Sequence, residues 1–283
     1  MKFKPFSSNA FLAVIVFSLL FALMNTAIAQ KQLALTSAKA PLVIGCGTIS
    51  KSGSYVLTGT GAGEDVCLKV MADNVTIHLA GASIAAAGGG IYANSVQNLV
   101  IIGPGTLSGE GPGIELINVT NSQVIGTTCI GDGVGIHIHN DASVPAHNRI
   151  VANKAQAAFI GSGVIAESQG NVYLGNDVCG GGSNVGLSIA GGEGDFIKGN
   201  RCDQVIDTGF AISGTHEIIV GNVADHGISS GSVGIFVDGT DNFIRNNEAH
   251  GNPRGDLVDN TGACGNNTWK ANAFLTANLA CIN

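Results

Sequence analysis

Basic residues are scarce in this sequence. Lysine and arginine number 13 against 20 aspartates and glutamates, a formal net charge of −7, and an acidic surface of this kind stays soluble and repels polyanions at long range. There is no basic stripe, and a single tryptophan with three tyrosines makes no aromatic stacking platform, so nucleic acid is not an expected partner. Three methionines, two of them Met1 and Met24, leave no Met-rich site for Cu(I). No Cys-x-x-Cys pair or Cys/His cluster marks a structural zinc. No stretch carries a helical apolar period between the β-like segments.

A long hydrophobic run is also missing. Phe11 to Leu23 is thirteen residues, short of the roughly 20 needed to span a bilayer, so no membrane span is expected. That run instead has the form of an export signal, with Lys2 and Lys4 before it and Ala27-Ile-Ala29 after it as a small-x-small cleavage site. The expectation is a soluble chain beginning near Gln30, secreted or periplasmic. Loss of residues 1–29 takes lysine plus arginine from 13 to 11 and the net charge to near −9. No cysteine follows the cleavage site, so no lipid anchor is expected there. The remainder suits one monomeric solenoid without a linker.

What the chain does have is a period. Asn153, Asn176, Asn200, Asn222, Asn247 and Asn272 are spaced by 23, 24, 22, 25 and 25 residues, which is the mark of a chain winding through one repeated unit. Each follows a short β-like segment, such as Asn171-Val-Tyr-Leu-Gly-Asn176, and one position in every unit is apolar: Ile77, Ile101, Val124, Ile150, Tyr173, Ile197, Ile219, Ile244, Trp269. That column reads as the inward face of a strand. A second register, Gly-Ile-x-apolar, lies between these segments, as in Gly90-Ile-Tyr-Ala, Gly113-Ile-Glu-Leu and Gly135-Ile-His-Ile. Two short strands per turn predict an all-β parallel β-helix of roughly nine coils, each about 4.8 Å above the last. The asparagines are expected to bond amide to amide along the axis. The predicted bounds are 30–66 for an N-terminal cap, 67–262 for the β-helix and 263–283 for a C-terminal cap.

Seven cysteines in an exported chain allow disulfides. Cys46 with Cys67 and Cys264 with Cys281 would staple the two ends, where strand edges must be capped. Cys179 and Cys202 fall on successive coils and can pair, although their registers differ by one position. Cys129 is left over and expected to be buried. Asn74, Asn118 and Asn266 head glycosylation sequons that read here as repeat chemistry.

Stacking places residues two dozen apart side by side. The outward column of the second strand reads Lys69, Tyr92, Glu115, His137, Ile165, Ser188, with His139 and Glu167 in the next column and Asp132 and Asp141 in the flanking turns. A carboxylate beside an imidazole, with a phenol adjacent, can perform general acid–base catalysis; ordinary strand alternation would also place these side chains outward. Past the asparagine corner, Gln156, Cys179, Asp203, Asp225 and His250 form another column, in which Asp203 and Asp225 could hold Ca²⁺ through oxygen. Lys154, Asp177 and Arg201 read as a cross-coil charge ladder.

On these repeats, on Asn74-Val-Thr-Ile-His-Leu-Ala-Gly81 and on Asn267-Thr-Trp-Lys-Ala-Asn-Ala-Phe274, the chain resembles the right-handed parallel β-helix proteins of the pectate-lyase-like superfamily. It is most similar to secreted bacterial β-helix-repeat proteins of the nitrous-oxide-reductase maturation-factor type. The resemblance covers nearly all of residues 45–283. It implies a protein that binds or processes an extracellular or cell-envelope polysaccharide, as a lyase, hydrolase or epimerase if an enzyme. The alternative is a non-catalytic envelope scaffold, adhesion element or maturation factor. By analogy with pectate lyases, Ca²⁺ on Asp203 and Asp225 would bridge a uronate, with Lys198 or Arg245 as base. Asp225-His-Gly227 resembles a polygalacturonase pair, but the other acidic motifs of that family and the Asp-Pro-His-Asp signature of mannuronan epimerases are absent. No outward column carries the threonine array that ice binding requires.

Overall fold

The computed structural model describes residues 42–63, 65–141, 145–157, 161–180 and 182–282; the expected export signal and residues 30–41 of the expected N-terminal cap lie outside the described residues. The described chain is a right-handed parallel β-solenoid of about ten turns. Each regular coil carries three strands rather than the predicted two. One coil runs Val75–His78, Ser83–Ala86, Ile91–Asn94, and the next Val100–Ile102, Thr106–Gly109, Ile114–Ile117. Among the described residues these build a first sheet of eleven strands, from Leu42–Ile44 to Thr268–Lys270, and a second of ten, from Gly47–Ile49 to Gly255–Asp259. The third sheet is in two parts, of five strands ending at Lys154–Ala157 and four starting at Arg201–Asp203. Ten strands in the second sheet give one coil more than the sequence predicts.

The first register is the first sheet and its apolar column is the core. Ile77, Ile101, Val124, Ile150, Tyr173, Ile197, Ile219, Ile244 and Trp269 lie in register from coil to coil, and all are buried. Burying such side chains contributes about 1.5–3 kcal/mol each. The second register is the second sheet, and its glycines are there for space. A Cβ on Gly90, Gly113, Gly163, Gly186 or Gly209 would lie 2.5–2.8 Å from the carbonyl oxygen of the glycine one coil on. Any side chain here would push two coils apart.

The asparagine corner bonds as expected. From Asn176 to Asn272, each Oδ1 accepts from the backbone N–H and the Nδ2 of the asparagine one coil before, the amide-to-amide distances being 2.8–3.1 Å, and Asn153 Oδ1 accepts in the same way from Thr127 N and Oγ1. Each Nδ2 also donates to a strand carbonyl, as Asn200 does to Tyr173 O at 3.0 Å. The ladder satisfies backbone groups that the corner would otherwise leave buried and unpaired.

The third sheet breaks at the coil after Lys154–Ala157, where, among the described residues, only the isolated bridges Lys154–Asp177 and Asp177–Arg201 continue the pairing. There Cys179 and Cys202 form a disulfide with a Cα separation of 4.7 Å. The one-residue register offset is absorbed by that irregular coil. Cys46–Cys67 and Cys264–Cys281 are also bonded. Cys129 is free and buried, with its thiol pushed up to about 12 by burial against a bond from Thr127. It is an inert core residue.

At the C-terminal end a buried carboxylate ties the last turns together. Asp259 accepts from Thr261 N (3.0 Å) and Oγ1 (2.5 Å), Asn267 Nδ2 (3.0 Å) and Trp269 Nε1 (2.9 Å). Burial alone would raise its pKa, but these bonds outweigh it and hold the carboxyl below the usual range. Asp259→Asn puts an NH₂ group against some of these donors and is expected to lower stability by about 3 kcal/mol, read as a lower urea midpoint. A carboxyl depressed by folding contributes stability above its unfolded pKa and loses it as pH falls through the folded one. The deficit should therefore shrink in acid.

Candidate functional site

The outward columns of the second sheet fall as the sequence predicts. Tyr92, Glu115, His137 and Ile165 are in register on four coils, and Ile117, His139 and Glu167 fill the neighbouring column. Strand alternation turns Ile136 and Ile138 into the core and His137 and His139 out of it. The structure brings four of the five candidate residues into one chain of contacts. His137 Nδ1 lies 3.5 Å from Glu115 Oε1, and its Nε2 lies 3.7 Å from Glu167 Oε2. The same Glu167 oxygen bonds His139 Nδ1 at 2.5 Å. Tyr92 shares only the register: its hydroxyl accepts from Asn94 Nδ2 at 3.0 Å.

The electrostatics follow from those contacts. Glu167 is held below the usual carboxylate range, first by the hydrogen bond from His139, against a desolvation that raises it, with the charges of His139 and His137 adding to the depression. An ionised Glu167 orients both imidazoles. With Nδ1 engaged, His139 has its Nε2 left for a substrate, and its side chain is 53 % exposed. Glu115 does the same from the other side of His137. Two oriented imidazoles with two carboxylates can give and take protons along a stripe three coils tall. Beyond it the column turns to Ile165, Ser188 and Ala211. Two shallow concavities lie elsewhere. One of about 270 Å³ is lined by Asp73, Ser95, Gln97 and Asn118, and one of about 430 Å³ on the third sheet is lined by Ser108, Glu110, Ile130 and Asp132.

The second candidate is rearranged. Asp203, Asp225 and His250 are in register on the third sheet, but each carboxylate has found a histidine. Asp203 lies 3.0 Å from His226 Nδ1 and 3.4 Å from Arg201 Nη2, and His226 and Arg201 hold it below the usual range despite partial burial. Asp225 and Glu248 both flank His250. Lys198 and Arg245 do not reach these acids: they face outward from the first sheet with Val220 between them, and Arg245 lies over the Phe243 ring at 5.9 Å.

A polar column at the other edge of the first sheet escapes the sequence reading. Ser122, Asn148, Asn171, Asp195, Glu217 and Asn242 are buried one per coil, each accepting from the backbone N–H of the coil before. Burial pushes Asp195 up to about 7, and burial with the charge of Asp195 pushes Glu217 up to about 9. The signal was the first residue of each β-like segment, which changes type and so does not read as a column.

No protein-family model matches the chain, and neither does any curated protein. Solved structures do match. The chain is similar to the Dettilon tailspike protein, at a TM-score of 0.55 and 10 % identity over 82 % of this chain and 51 % of the tailspike. It is similar to the tailspike of Pseudomonas phage phi297, at a TM-score of 0.53 and 13 % identity over 80 % of this chain and 49 % of that one. A periplasmic alginate epimerase aligns at a TM-score of 0.49 and 13 % identity over 80 % of this chain and 70 % of the epimerase. The chain thus spans about half the length of the tailspikes it matches, and the likeness is one of fold: a parallel β-helix.

Proposed function

We propose that this is an exported carbohydrate-acting β-helix protein that holds a linear glycan of the cell surface or envelope along its second sheet, with Glu115, His137, His139 and Glu167 acting on it. The observation that carries this reading is the contact chain Glu115–His137–Glu167–His139 on a solvent-facing sheet. Exposed ion pairs of this kind contribute little to stability, so folding alone gives no reason to gather them. A polymer lying along the axis meets the same rung every ~4.8 Å, so several sugar units touch the stripe at once. Three disulfides support an oxidising compartment. By the superfamily resemblance the reaction class is lyase, hydrolase or epimerase.

The test is a panel of uronate and neutral glycans, with and without Ca²⁺, followed by binding, product size and unsaturated-uronate absorbance. A substrate in this panel should lose about 100-fold or more in turnover with His137→Ala, and a similar amount with Glu167→Gln. Binding that persists in a chain carrying both changes, with no turnover in either form, would favour the alternative of a non-catalytic scaffold or maturation factor. If no glycan is bound or changed, the proposal fails.

A further inference from the structure

We infer that Asp225, Glu248 and His250 form a binding site for one divalent transition-metal ion of the zinc class. The strands Val223–Asp225 and Glu248–His250 are neighbours in the third sheet, with Asp225 opposite His250. Ala249 between them is buried, so alternation turns Glu248 and His250 to the same outward face as Asp225. One ligand atom from each of the three lies within 4.8 Å of the others. His250 Nδ1 is 3.4 Å from Glu248 Oε1 and 3.6 Å from Asp225 Oδ1. A tetrahedral ion with ligands at about 2.0–2.2 Å has ligand-to-ligand edges of about 3.4 Å, so the two edges that run from His250 already match those of a tetrahedral face, and the carboxylates are within 4.8 Å of closing the third.

The donor set selects the metal class. Ca²⁺ takes oxygen ligands, roughly six to eight of them, whereas this set supplies two carboxylates and an imidazole, which suits zinc and its neighbours. The site is also pre-oriented. The backbone N–H of His250 donates to Asp225 Oδ1 at 3.0 Å, fixing that carboxylate where the imidazole meets it. The neighbouring contact runs from His226, the residue after Asp225, back to Asp203 on the preceding rung, and neither residue is part of the set. Three protein ligands leave a fourth position for water, the pattern of zinc sites that do chemistry. The site does not depend on the glycan stripe of the second sheet.

The competing arrangement is His250 paired with the two carboxylates with no metal. Calorimetry of the untagged full chain with ZnCl₂ in chelator-treated buffer near neutral pH separates the two. The expected result is one Zn²⁺ bound per chain, and with Co²⁺ the strong visible absorption of a tetrahedral ion. His250→Ala and Glu248→Gln should each weaken Zn²⁺ binding by at least about 10-fold, while His226→Ala and His137→Ala leave it unchanged. All four changes are at the surface, and their melting curves confirm folding. Absence of Zn²⁺ uptake overturns the proposal. So does binding that survives His250→Ala, binding lost equally with His226→Ala, or a preference for Ca²⁺ over Zn²⁺.

Discussion

Replacing Glu217 by Gln and Asp195 by Asn is expected to raise the melting temperature above neutral pH and to remove most of its dependence on pH. In the buried column of the first sheet each amide has two duties. Its Oδ1 accepts from a backbone N–H, and its Nδ2 donates, from Asn148 to Val119 O at 2.7 Å, from Asn242 to Gly214 O at 3.1 Å and from Asn171 to Ser168 Oγ at 2.8 Å. Asp195 and Glu217 perform the first duty, accepting at 2.6 Å from Asn171 N and Asp195 N. Their other oxygens, Asp195 Oδ2 and Glu217 Oε1, are buried without a partner, as is Tyr173 Oη. A Cβ on Gly214 would lie 2.1 Å from Glu217 Oε1 and 2.8 Å from Gly192 O, so acid and carbonyl meet over the same glycine. A carboxylate has nothing to donate there; a carboxylic acid does.

The sign of the pH effect follows. The groups facing this pair are Tyr173, the neighbouring acid in each case, and Glu193, none of them cationic; His216 lies outside, paired to Glu193 at 3.3 Å. Both folded pKa values are raised, from 3.8 to about 7 for Asp195 and from 4.5 to about 9 for Glu217. The folded chain therefore holds protons that the unfolded chain releases. This stability is complete below the unfolded values and is lost as pH rises through the folded ones. Each proton so held makes stability fall by about 1.4 kcal/mol per pH unit within its window, or roughly 4 °C in melting temperature for a domain of this size. Asp256 and Asp259, held low despite burial by the donors around them, act in the opposite sense below their ordinary range. The parent should thus be most stable in mild acid. Melts followed by circular dichroism across this range would show it, and the double amide variant should be nearly flat on the alkaline side. A parent curve that is already flat there, or amide variants weaker at every pH, would refute the account of two buried, protonated acids.

How far the sequence could be read depended on how constant each column was in residue type. Ile77 through Trp269 keep one chemical character for nine coils, so the first sheet and its register were legible, and with it the placing of Glu115 against His137 and His139 against Glu167. The third sheet was not. Its strands are short, and its inward column runs Ile84, Leu107, Cys129, Ala155 and then Cys202, Ala224, Ala249. Those small residues carry little apolar signal and read as a turn. The cluster at His250 was half visible. Asp225 and His250 share a column, whereas Glu248 stands two residues away and becomes a neighbour only because Ala249 turns inward. Asp195 and Glu217 looked like strand residues because their column mixes Ser, Asn, Asp and Glu. Only coordinates show that all of these do the same bonding.

The other large effect lies in the asparagine ladder, and it separates hydrogen bonding from packing. Asn200 Oδ1 accepts from Asn176 N (2.9 Å) and Nδ2 (2.8 Å), and its Nδ2 donates to Tyr173 O and Asn222 Oδ1, both at 3.0 Å. Asn200→Ala leaves four buried polar groups without this partner, at about 1–3 kcal/mol each before relaxation. A loss of at least about 4 kcal/mol is expected by urea titration, with Asn272→Ala at the half-buried end of the ladder costing closer to about 1 kcal/mol. Asn200→Leu fills the volume and should do no better than Ala, because an apolar side chain accepts nothing from Asn176 N; if packing set the cost, Leu would restore most of it. Asn200→Asp is the sharper comparison. Its oxygen keeps the bonds from Asn176, while its second oxygen takes the place of an Nδ2 that donated to Tyr173 O, so the variant should be weak at neutral pH and recover in mild acid as the carboxyl gains a proton. That recovery would reproduce at the asparagine corner what Asp195 and Glu217 do natively at the opposite edge of the same sheet, and its absence would mean the two corners obey different rules.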